Sequence, residues 1–194
     1  MSIEAADYGV ARRAMVANQL RPQGVTDARV LDAMGSVPRE NFLPADKQAL
    51  AYSDRSQLLD NGAPMMPPAE LGLVLTRLAP QPGERALVVG GGGAYAAALL
   101  RHIGLAVDAG DSAGQGYDII LVEGAIEQLP AELIGRLAPG GRVGAAIVED
   151  GVTRLATGRG AIDQSGGRSV GFTSFAEAQV PVLPGFARAP AFVF

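Results

Sequence analysis

The most regular pattern of hydrophobic positions surrounds a glycine-rich stretch in the middle of the chain. Residues 86–89 are a short uncharged run, typical of a strand buried on both faces of a parallel sheet. Gly90, Gly91, Gly92 and Gly93 follow directly, and apolar residues then repeat at helical spacing until Gly104. This order predicts the start of a doubly wound α/β sheet. Its ligand site is expected where the glycine loop meets the N-terminus of the helix.

Prolines divide the first 80 residues into short segments. A first helix that stops before Pro22 is predicted by the spacing of Val10, Ala14, Ala17 and Leu20. Residues 37–44 are predicted to be extended or turn-like. Residues 51–68 have few periodic apolar positions, which predicts a long surface loop.

Two further helices are predicted before the glycine loop. The second follows a cap at Thr26 or Asp27 and ends at Gly35. The third starts at Pro67 or Pro68, because proline fits the first turn of a helix. Its buried face is predicted from the spacing of Leu71, Val74, Leu75 and Leu78.

One strand–helix unit is missing after the glycine loop. Residues 105–109 can form a second strand, but only residues 110–116 separate it from the apolar run at 119–122. A complete strand–helix–strand return needs about 30 residues. Glu123 directly follows that apolar run, where ligands bind in such sheets, and both a functional and a structural role stay open for it.

The remainder of the chain predicts a short helix at residues 130–137, a turn at 139–141 and a buried strand at 143–148. An antiparallel closing section is predicted from the β-like runs at 152–156, 169–172 and 191–194. We predict a single domain over residues 1–194. Its parts are a helical cap (1–80), a Rossmann-like core (81–149) and the antiparallel C-terminal section (150–194).

Composition narrows the possible chemistry. The 194 residues are 48% hydrophobic and 19% charged, as in ordinary globular proteins, and the net charge of -4 argues against a nucleic-acid partner. Without cysteine, the chain can have neither disulfides nor thiol catalysis, and with His102 as its single histidine we predict no metal site. No apolar run approaches a membrane span and the N-terminus is unlike a signal peptide. We therefore expect no membrane contact and a cytoplasmic location.

Several motifs resemble those of protein-L-isoaspartate O-methyltransferases. The most specific is Val37-Pro38-Arg39-Glu40-Asn41-Phe42, and the glycine loop belongs to the same pattern. Other matching segments are residues 15–21, 30–34, 51–54, 82–85, 117–125 and 137–143. The resemblance implies a class I S-adenosylmethionine-dependent methyltransferase fold with a Rossmann-like sheet, shortened here at one edge by about one strand–helix unit. It also implies methylation of the free carboxylate of isoaspartyl residues in damaged proteins.

The cofactor-binding candidates implied by this resemblance are Gly90, Gly91, Gly92 and Asp111, and no catalytic residue is assigned. Asp111 would bind the ribose hydroxyls, with Asp108 as the alternative. The family has an acidic residue two positions before the first glycine, but Val88 stands there and cannot accept a hydrogen bond. The third alternate glycine of the loop is replaced by Ala94. We therefore expect binding of S-adenosylmethionine that is weak or lost.

The family's substrate loop also differs in this chain. It normally carries hydroxyl residues and a glutamine before a proline, whereas residues 64–68 read Pro-Met-Met-Pro-Pro. The two methionines are interpreted as packing residues. With no hydroxyl in this loop, we expect slow methylation of a protein or peptide substrate.

Two other functions stay open. The first is a non-catalytic binding or scaffold protein that keeps the methyltransferase fold, which Val88 and the short segment at residues 110–116 favour. The second is a nicotinamide-dinucleotide-binding protein, because Gly91, Gly93 and Ala96 fit the pattern G-x-G-x-x-A.

The missing unit also predicts how copies of the chain interact. Residues 105–109 become the edge of the sheet, and an unprotected edge can pair with another chain. We therefore predict a homodimer formed through this shortened edge.

Overall fold

The computed structural model describes residues 7–110, 112–162 and 165–188, which form a mixed six-stranded sheet with helices on both faces. In chain order the helices and strands are α1 (Tyr8–Met15), α2 (Ala28–Ser36), β1 (Gln57–Leu58), β2 (Pro64–Met65), α3 (Pro68–Leu78), β3 (Arg85–Val89), α4 (Gly93–Ile103), β4 (Ala106–Ala109), β5 (Tyr117–Ile126), α5 (Ala131–Arg136), β6 (Leu137–Glu149), β7 (Val152–Ile162) and β8 (Arg168–Glu177). Shorter turns complete the N-terminal region: a π-helical turn at Val16–Leu20 and 3-10 turns at Arg39–Phe42 and Gln48–Leu50.

The order of strands in the sheet is β4-β3-β5-β6-β7-β8. Neighbouring strands from β4 to β6 run parallel, whereas β6, β7 and β8 are joined as antiparallel neighbours. Both the α/β core and the antiparallel closing section predicted from the sequence are confirmed. The predicted turn at 139–141 lies inside β6, at an irregularity in its pairing with β5.

The edge position of β4 confirms the missing strand–helix unit. The described residues 112–116 lead to the start of β5, on the other side of β3 from β4, and contain no helix. The amide of Gly116 donates to the carbonyl of Arg136 at 2.9 Å, which fixes the end of this crossover next to α5.

Each face of the sheet packs a separate apolar core. On one face, Val88 and Leu121 lie among residues of α3, α4 and the N-terminal helices. On the other, Leu87 and Val122 pack against α5 and the segment that follows β8. Successive side chains of a strand point to opposite faces of the sheet. Because each face of the sheet packs on an apolar core, β3 and β5 carry apolar side chains on both faces.

The N-terminal helices are present, but their details differ from the prediction. Of the four predicted apolar positions, Val10, Ala14 and Ala17 are exposed and Leu20 is buried as predicted, while Met15 also faces the core. The face of α1 that packs on the core carries Tyr8, Ala11 and Met15, which also repeat at helical spacing. A π-helical turn follows α1 and changes the repeat for the residues after Met15. In α2 the cap is Asp27, and the helix continues one residue beyond Gly35.

The prediction of a long surface loop at residues 51–68 is wrong. Ala51, Tyr52, Met65 and Met66 in this segment are buried, and β1 pairs with β2 in a small antiparallel ladder. Helix α3 starts at Pro68, as predicted, and all four residues of its predicted apolar face are buried. The predicted strand at 191–194 lies outside the described residues. Within the described ranges, no helix has the length and apolar character to cross a membrane.

Candidate functional site

The glycine loop joins the carboxyl end of β3 to the N-terminus of α4. Gly90 has a φ of +110°, and an added Cβ there would lie 2.7 Å from the carbonyl oxygen of Glu123. The amide of Gly93 donates to the carbonyl of Gly90 at 3.1 Å, which closes the turn. A side chain at position 90 would therefore force β3 and β5 apart.

A segment from the β1–β2 ladder covers the glycine loop; we call residues 63–65 the cover segment. A Cβ built on Gly91 would lie 1.9 Å from the Cβ of Ala63, and one on Gly92 would lie 2.5 Å from the carbonyl oxygen of Pro64. The ladder thus ends in direct contact with the backbone of the loop. The predicted packing role of Met65 and Met66 is confirmed, because both are fully buried.

Glu123 is buried at the rim of the glycine loop. Its Oε1 accepts a hydrogen bond from the amide of Met66 at 3.2 Å and lies 3.1 Å from the Cβ position of Gly92. Its Oε2 has no hydrogen-bond partner in the described part of the chain. Burial raises the pKa of Glu123 to about 8, while the positive charge of Arg39 and the hydrogen bond from Met66 act in the opposite direction.

Arg39, from the motif at residues 37–42, lies on the other side of Met66. Its Nε donates to the carbonyl of Ala51 at 2.8 Å and its Nη2 to the carbonyl of Met66 at 2.6 Å. Its guanidinium carbon is 5.0 Å from the ring centre of Tyr95, a cation–π arrangement. Burial lowers the pKa of Arg39, against the attraction of nearby acidic groups. Arg39 and Glu123 therefore hold opposite ends of the Met66 residue.

Residues after β8 form a further wall of the site. Val182 forms an isolated parallel bridge with Ala125 of β5, in which the amide of Leu183 donates to the carbonyl of Ala125 at 2.8 Å. The side chain of Leu183 fills the space beside two glycines: a Cβ on Gly124 would be 2.4 Å from Leu183 Cγ, and one on Gly90 would be 3.3 Å from Leu183 Cδ1. The glycine loop is thus bounded by the cover segment and by Leu183.

An open cleft of about 430 Å³ lies next to this wall, at the carboxyl ends of β3 and β4. Its lining includes Val89, Gly110, Leu133 and Phe186. The cleft is of the size that small-molecule sites have in proteins.

A larger cleft of about 850 Å³ lies on the other side of the ladder, beside Pro67. Arg55, Ser56 and Glu70 are among its lining residues. The hydroxyl of Ser56 donates to the carbonyl of Met65 at 3.2 Å, so a hydroxyl group does lie beside the Met-Met segment although the segment itself has none. Burial raises the pKa of Glu70, whose Oε1 accepts from the amide of Gln179 at 3.0 Å.

The structure brings Gly90, Gly91 and Gly92 together with Glu123, but the candidate Asp111 lies outside the described residues. The alternative acid, Asp108, accepts a hydrogen bond from the hydroxyl of Tyr117 at 2.7 Å. Sequence reasoning did not identify Arg39, Tyr95 or Leu183 as site residues. For Arg39, the available signal was its place in the motif at residues 37–42, the most specific segment of the family resemblance.

Comparison with known proteins identifies the family. The family model for protein-L-isoaspartate(D-aspartate) O-methyltransferase matches residues 11–110. A protein-L-isoaspartate O-methyltransferase of Methylorubrum populi is 35% identical over 211 residues, covering 92% of this chain and 98% of the relative. A second relative, protein-L-isoaspartate O-methyltransferase 2 of an Anaeromyxobacter species, is 45% identical over 96 residues, which are 50% of this chain and 40% of that protein.

Solved structures agree with this assignment at the level of the fold. A Plasmodium falciparum structure described as a protein-L-isoaspartate O-methyltransferase, in complex with S-adenosyl-L-homocysteine, superposes with a TM-score of 0.70 at 18% identity. The match covers 89% of this chain and 97% of that one. The fold is therefore that of the class I methyltransferases, as predicted. The chain belongs to the protein-L-isoaspartate O-methyltransferase family.

Proposed function

We propose that this protein transfers a methyl group from S-adenosylmethionine to the carboxylate of isoaspartyl residues in proteins, with low affinity for the cofactor. One observation carries the proposal: a chain of this family retains a glycine loop at the β3–α4 junction, with the buried carboxyl group of Glu123 at its rim. The low affinity follows from Val88, which offers no acceptor, and from the close contact of the cover segment with the loop.

Two regions of the site fit two different parts of S-adenosylmethionine. Backbone amides at Gly91, Gly92 and the N-terminus of α4 suit a carboxylate, because the helix dipole and unpaired N–H groups attract anions. The cleft beside Val89 and Gly110 has the volume for a nucleoside, and its lining combines apolar side chains with the charged Glu132 and Arg136. Binding of the ribose by Asp111 stays a prediction.

The proposed chemistry asks little of the protein beyond positioning. S-adenosylmethionine, when bound, supplies an activated methyl group. A carboxylate oxygen then needs only to be held in line with that methyl group in a site without water, and no general acid or base is needed. We assign the exclusion of water to the buried Met65–Met66 segment and to Leu183.

We assign the polypeptide substrate to the cleft of about 850 Å³ beside Pro67, which has the volume for several residues of a chain. Arg55 is the positive side chain in its lining and Ser56 the nearby hydroxyl. Glu70 and other acidic groups at the rim favour substrates with neighbouring lysine or arginine residues.

Labelled methyl transfer tests the proposal. An isoaspartyl peptide should be methylated slowly, and the same peptide with ordinary aspartate should not be methylated. Calorimetric titration with S-adenosylhomocysteine should give a dissociation constant above about 100 μM. Lack of methylation of the isoaspartyl peptide at saturating cofactor would overturn the proposed activity.

The non-catalytic alternative has its own supporting observation. The cover segment and Leu183 both pack directly against the glycine loop, as they would in a protein that keeps the fold without using the site. Binding of S-adenosylmethionine without methyl transfer would favour this non-catalytic alternative. Membership of a methyltransferase family argues against the nicotinamide alternative.

Self-association through β4 is a further part of the proposal. Ala106 and Gly110 donate their amides to the carbonyls of Glu84 and Val88, so the backbone groups of Val107 and Ala109 point away from β3. These groups support pairing with a second copy. Arg101 opposes it, because its Nη2 donates to the carbonyl of Val107 at 2.8 Å. The cytoplasmic location expected from the sequence stays a prediction.

A further inference from the structure

Glu123 and Val88 lie on the same face of the sheet, on adjacent strands. The parallel register pairs Val88 with Leu121 and Val89 with Val122, which places Glu123 beside Gly90, the first residue of the glycine loop. Val88 and Leu121 belong to the same apolar core, and side chains two residues apart on a strand share a face. The side chains of Glu123 and Val88 therefore project from the same face of the sheet, and Glu123 lies nearer than Val88 to the glycine loop.

One oxygen of the Glu123 carboxyl group has no hydrogen-bond partner in the described part of the chain. Oε1 is occupied by the amide of Met66, whereas Oε2 is without a partner although the residue is fully buried. Buried polar atoms in native proteins nearly always have a partner, and exceptions call for an explanation. The bonded oxygen, Oε1, lies 3.1 Å from where a Cβ on Gly92 would be, so the carboxyl group as a whole lies beside the loop.

The charged neighbours do not satisfy this oxygen. Arg39 uses two of its nitrogens on the carbonyls of Ala51 and Met66, and its third, Nη1, is without a partner among the residues described. The hydroxyl of Tyr95, on α4, is also buried and unpaired. Arg39 and Tyr95 are the ionisable groups that act electrostatically on Glu123 from the elements packed around it.

The rest of the loop offers no negatively charged acceptor. Amides of the glycines and of the α4 N-terminus can bind an anion. Backbone carbonyls are neutral acceptors, and that of Gly90 already accepts from the amide of Gly93, so a carboxylate would be the strongest acceptor for a positive group. Val88 offers none. Glu123 is the carboxyl group that lies against the loop.

We propose that Glu123 binds the α-ammonium group of the amino-acid part of an S-adenosyl ligand, and so supplies from β5 the acceptor that β3 lacks. This inference rests on the proposed function, since it assigns a residue to the same ligand. Ionised Glu123 would pair with the ammonium group through Oε2, while Oε1 keeps its bond to Met66.

The experiment is calorimetric titration of the whole protein with two probes. S-adenosylhomocysteine carries the ammonium group, and 5′-methylthioadenosine has the nucleoside without the amino acid. In Glu123→Gln, which can still accept the bond from Met66, affinity for the first probe should fall at least about fivefold, a typical coupling for one charge-assisted contact. Affinity for the second should stay unchanged. Glu123→Asp, which keeps the charge, should recover part of the loss.

A second readout is the uptake or release of protons, measured by repeating the titration in buffers of different ionisation enthalpy. Binding of a cation to a carboxyl group that is largely protonated near neutral pH should release a proton. Wild type and the matched surface variant Glu149→Gln should release the same amount with S-adenosylhomocysteine, and Glu123→Gln should release less.

The outcomes separate the two proposals. Equal affinity of wild type and Glu123→Gln for S-adenosylhomocysteine, with equal proton release, would overturn the role of Glu123 and leave the proposed function standing. Failure of both probes to bind wild type would overturn both. Thermal unfolding of each variant shows whether a lost affinity reflects a lost fold.

Discussion

At the scale of single residues, Glu123 is the group whose environment departs most from that in water. It is fully buried, and burial raises its pKa to about 8. In the unfolded chain the same group titrates near 4.5, the ordinary glutamate value. The folded protein therefore holds a proton that the unfolded chain loses between these two pH values, and folding stability depends on pH in that range.

Glu123→Gln should remove most of this dependence. In wild type, the contribution of Glu123 to the free energy of unfolding should be greatest below about pH 4.5. That contribution should fall by up to about 1.4 kcal/mol per pH unit as the pH rises toward 8. The variant has no proton to lose, so it should be more stable than wild type at pH 8 and similar to it at pH 5. Urea unfolding at several pH values measures the difference.

Glu149→Gln is the control for that comparison, because Glu149 is exposed at the end of β6. Its curve should follow that of wild type. A Glu123→Gln curve parallel to wild type from pH 5 to pH 8 would contradict the raised pKa.

Sequence reasoning reached only some of these residues. Glu123 could be placed at the end of a strand, because a short apolar run and the parallel sheet are readable from the pattern. Its contact with Met66 could not, because that contact joins positions 57 residues apart. The burial of Arg39 was equally hidden, since it depends on the carbonyls of Ala51 and Met66, which lie in a segment without periodicity.

At the scale of elements, the contact between the cover segment and the glycine loop is the most direct to test. Gly91 has no positive φ, so alanine is compatible with its backbone, but the new Cβ would lie 1.9 Å from that of Ala63. Gly91→Ala should therefore cost about 1–3 kcal/mol of stability, as overpacking does. Ala63→Gly in the same chain should recover most of the loss, because it removes the clashing atom.

The two single variants and the double variant form a thermodynamic cycle. An interaction energy of at least about 1 kcal/mol is expected from chemical unfolding. Additive effects, or no cost for Gly91→Ala, would mean that the cover segment does not rest on the loop in solution.

Elements were predicted well where a local signal marks them. The strand at residues 85–89, the glycine turn and helix α4 follow from hydrophobic period and glycine placement alone. The face of α1 was predicted wrongly, because Tyr8, Ala11 and Met15 also repeat at helical spacing and it is this second face that packs on the core. The ladder of β1 and β2 was missed because each strand has only two residues.

At the scale of the whole molecule, the free edge of the sheet is the surface through which we propose that copies of the chain pair. Strand β4 has four residues, of which Ala106 and Ala109 are exposed. The large exposed apolar side chains of the described ranges lie elsewhere, at Val10, Leu50, Leu58, Val152 and Ile162. Any association through β4 should therefore rest on backbone pairing and be weak.

Two substitutions should move this association in opposite directions. Arg101→Ala frees the carbonyl of Val107 and should strengthen dimer formation, whereas Ala109→Pro removes an outward amide and should weaken it. Light scattering over a range of concentrations measures both, with Arg13→Ala as a surface control of the same charge change. A monomer for wild type and Arg101→Ala at all concentrations would contradict pairing through β4.

The position of Leu183 has a consequence for the order in which the site is built. Leu183 packs on Gly90 and Gly124, and its amide bonds to Ala125, so residues far apart in the chain meet at one point. A chain grows from its N-terminus during synthesis, and contacts between distant positions form late. The strand, loop and helix of residues 85–103 can associate early, but the wall made by Leu183 must wait until about 80 further residues have been synthesised. A nascent chain would therefore pass through a stage in which Gly90 and Gly124 are open on that side.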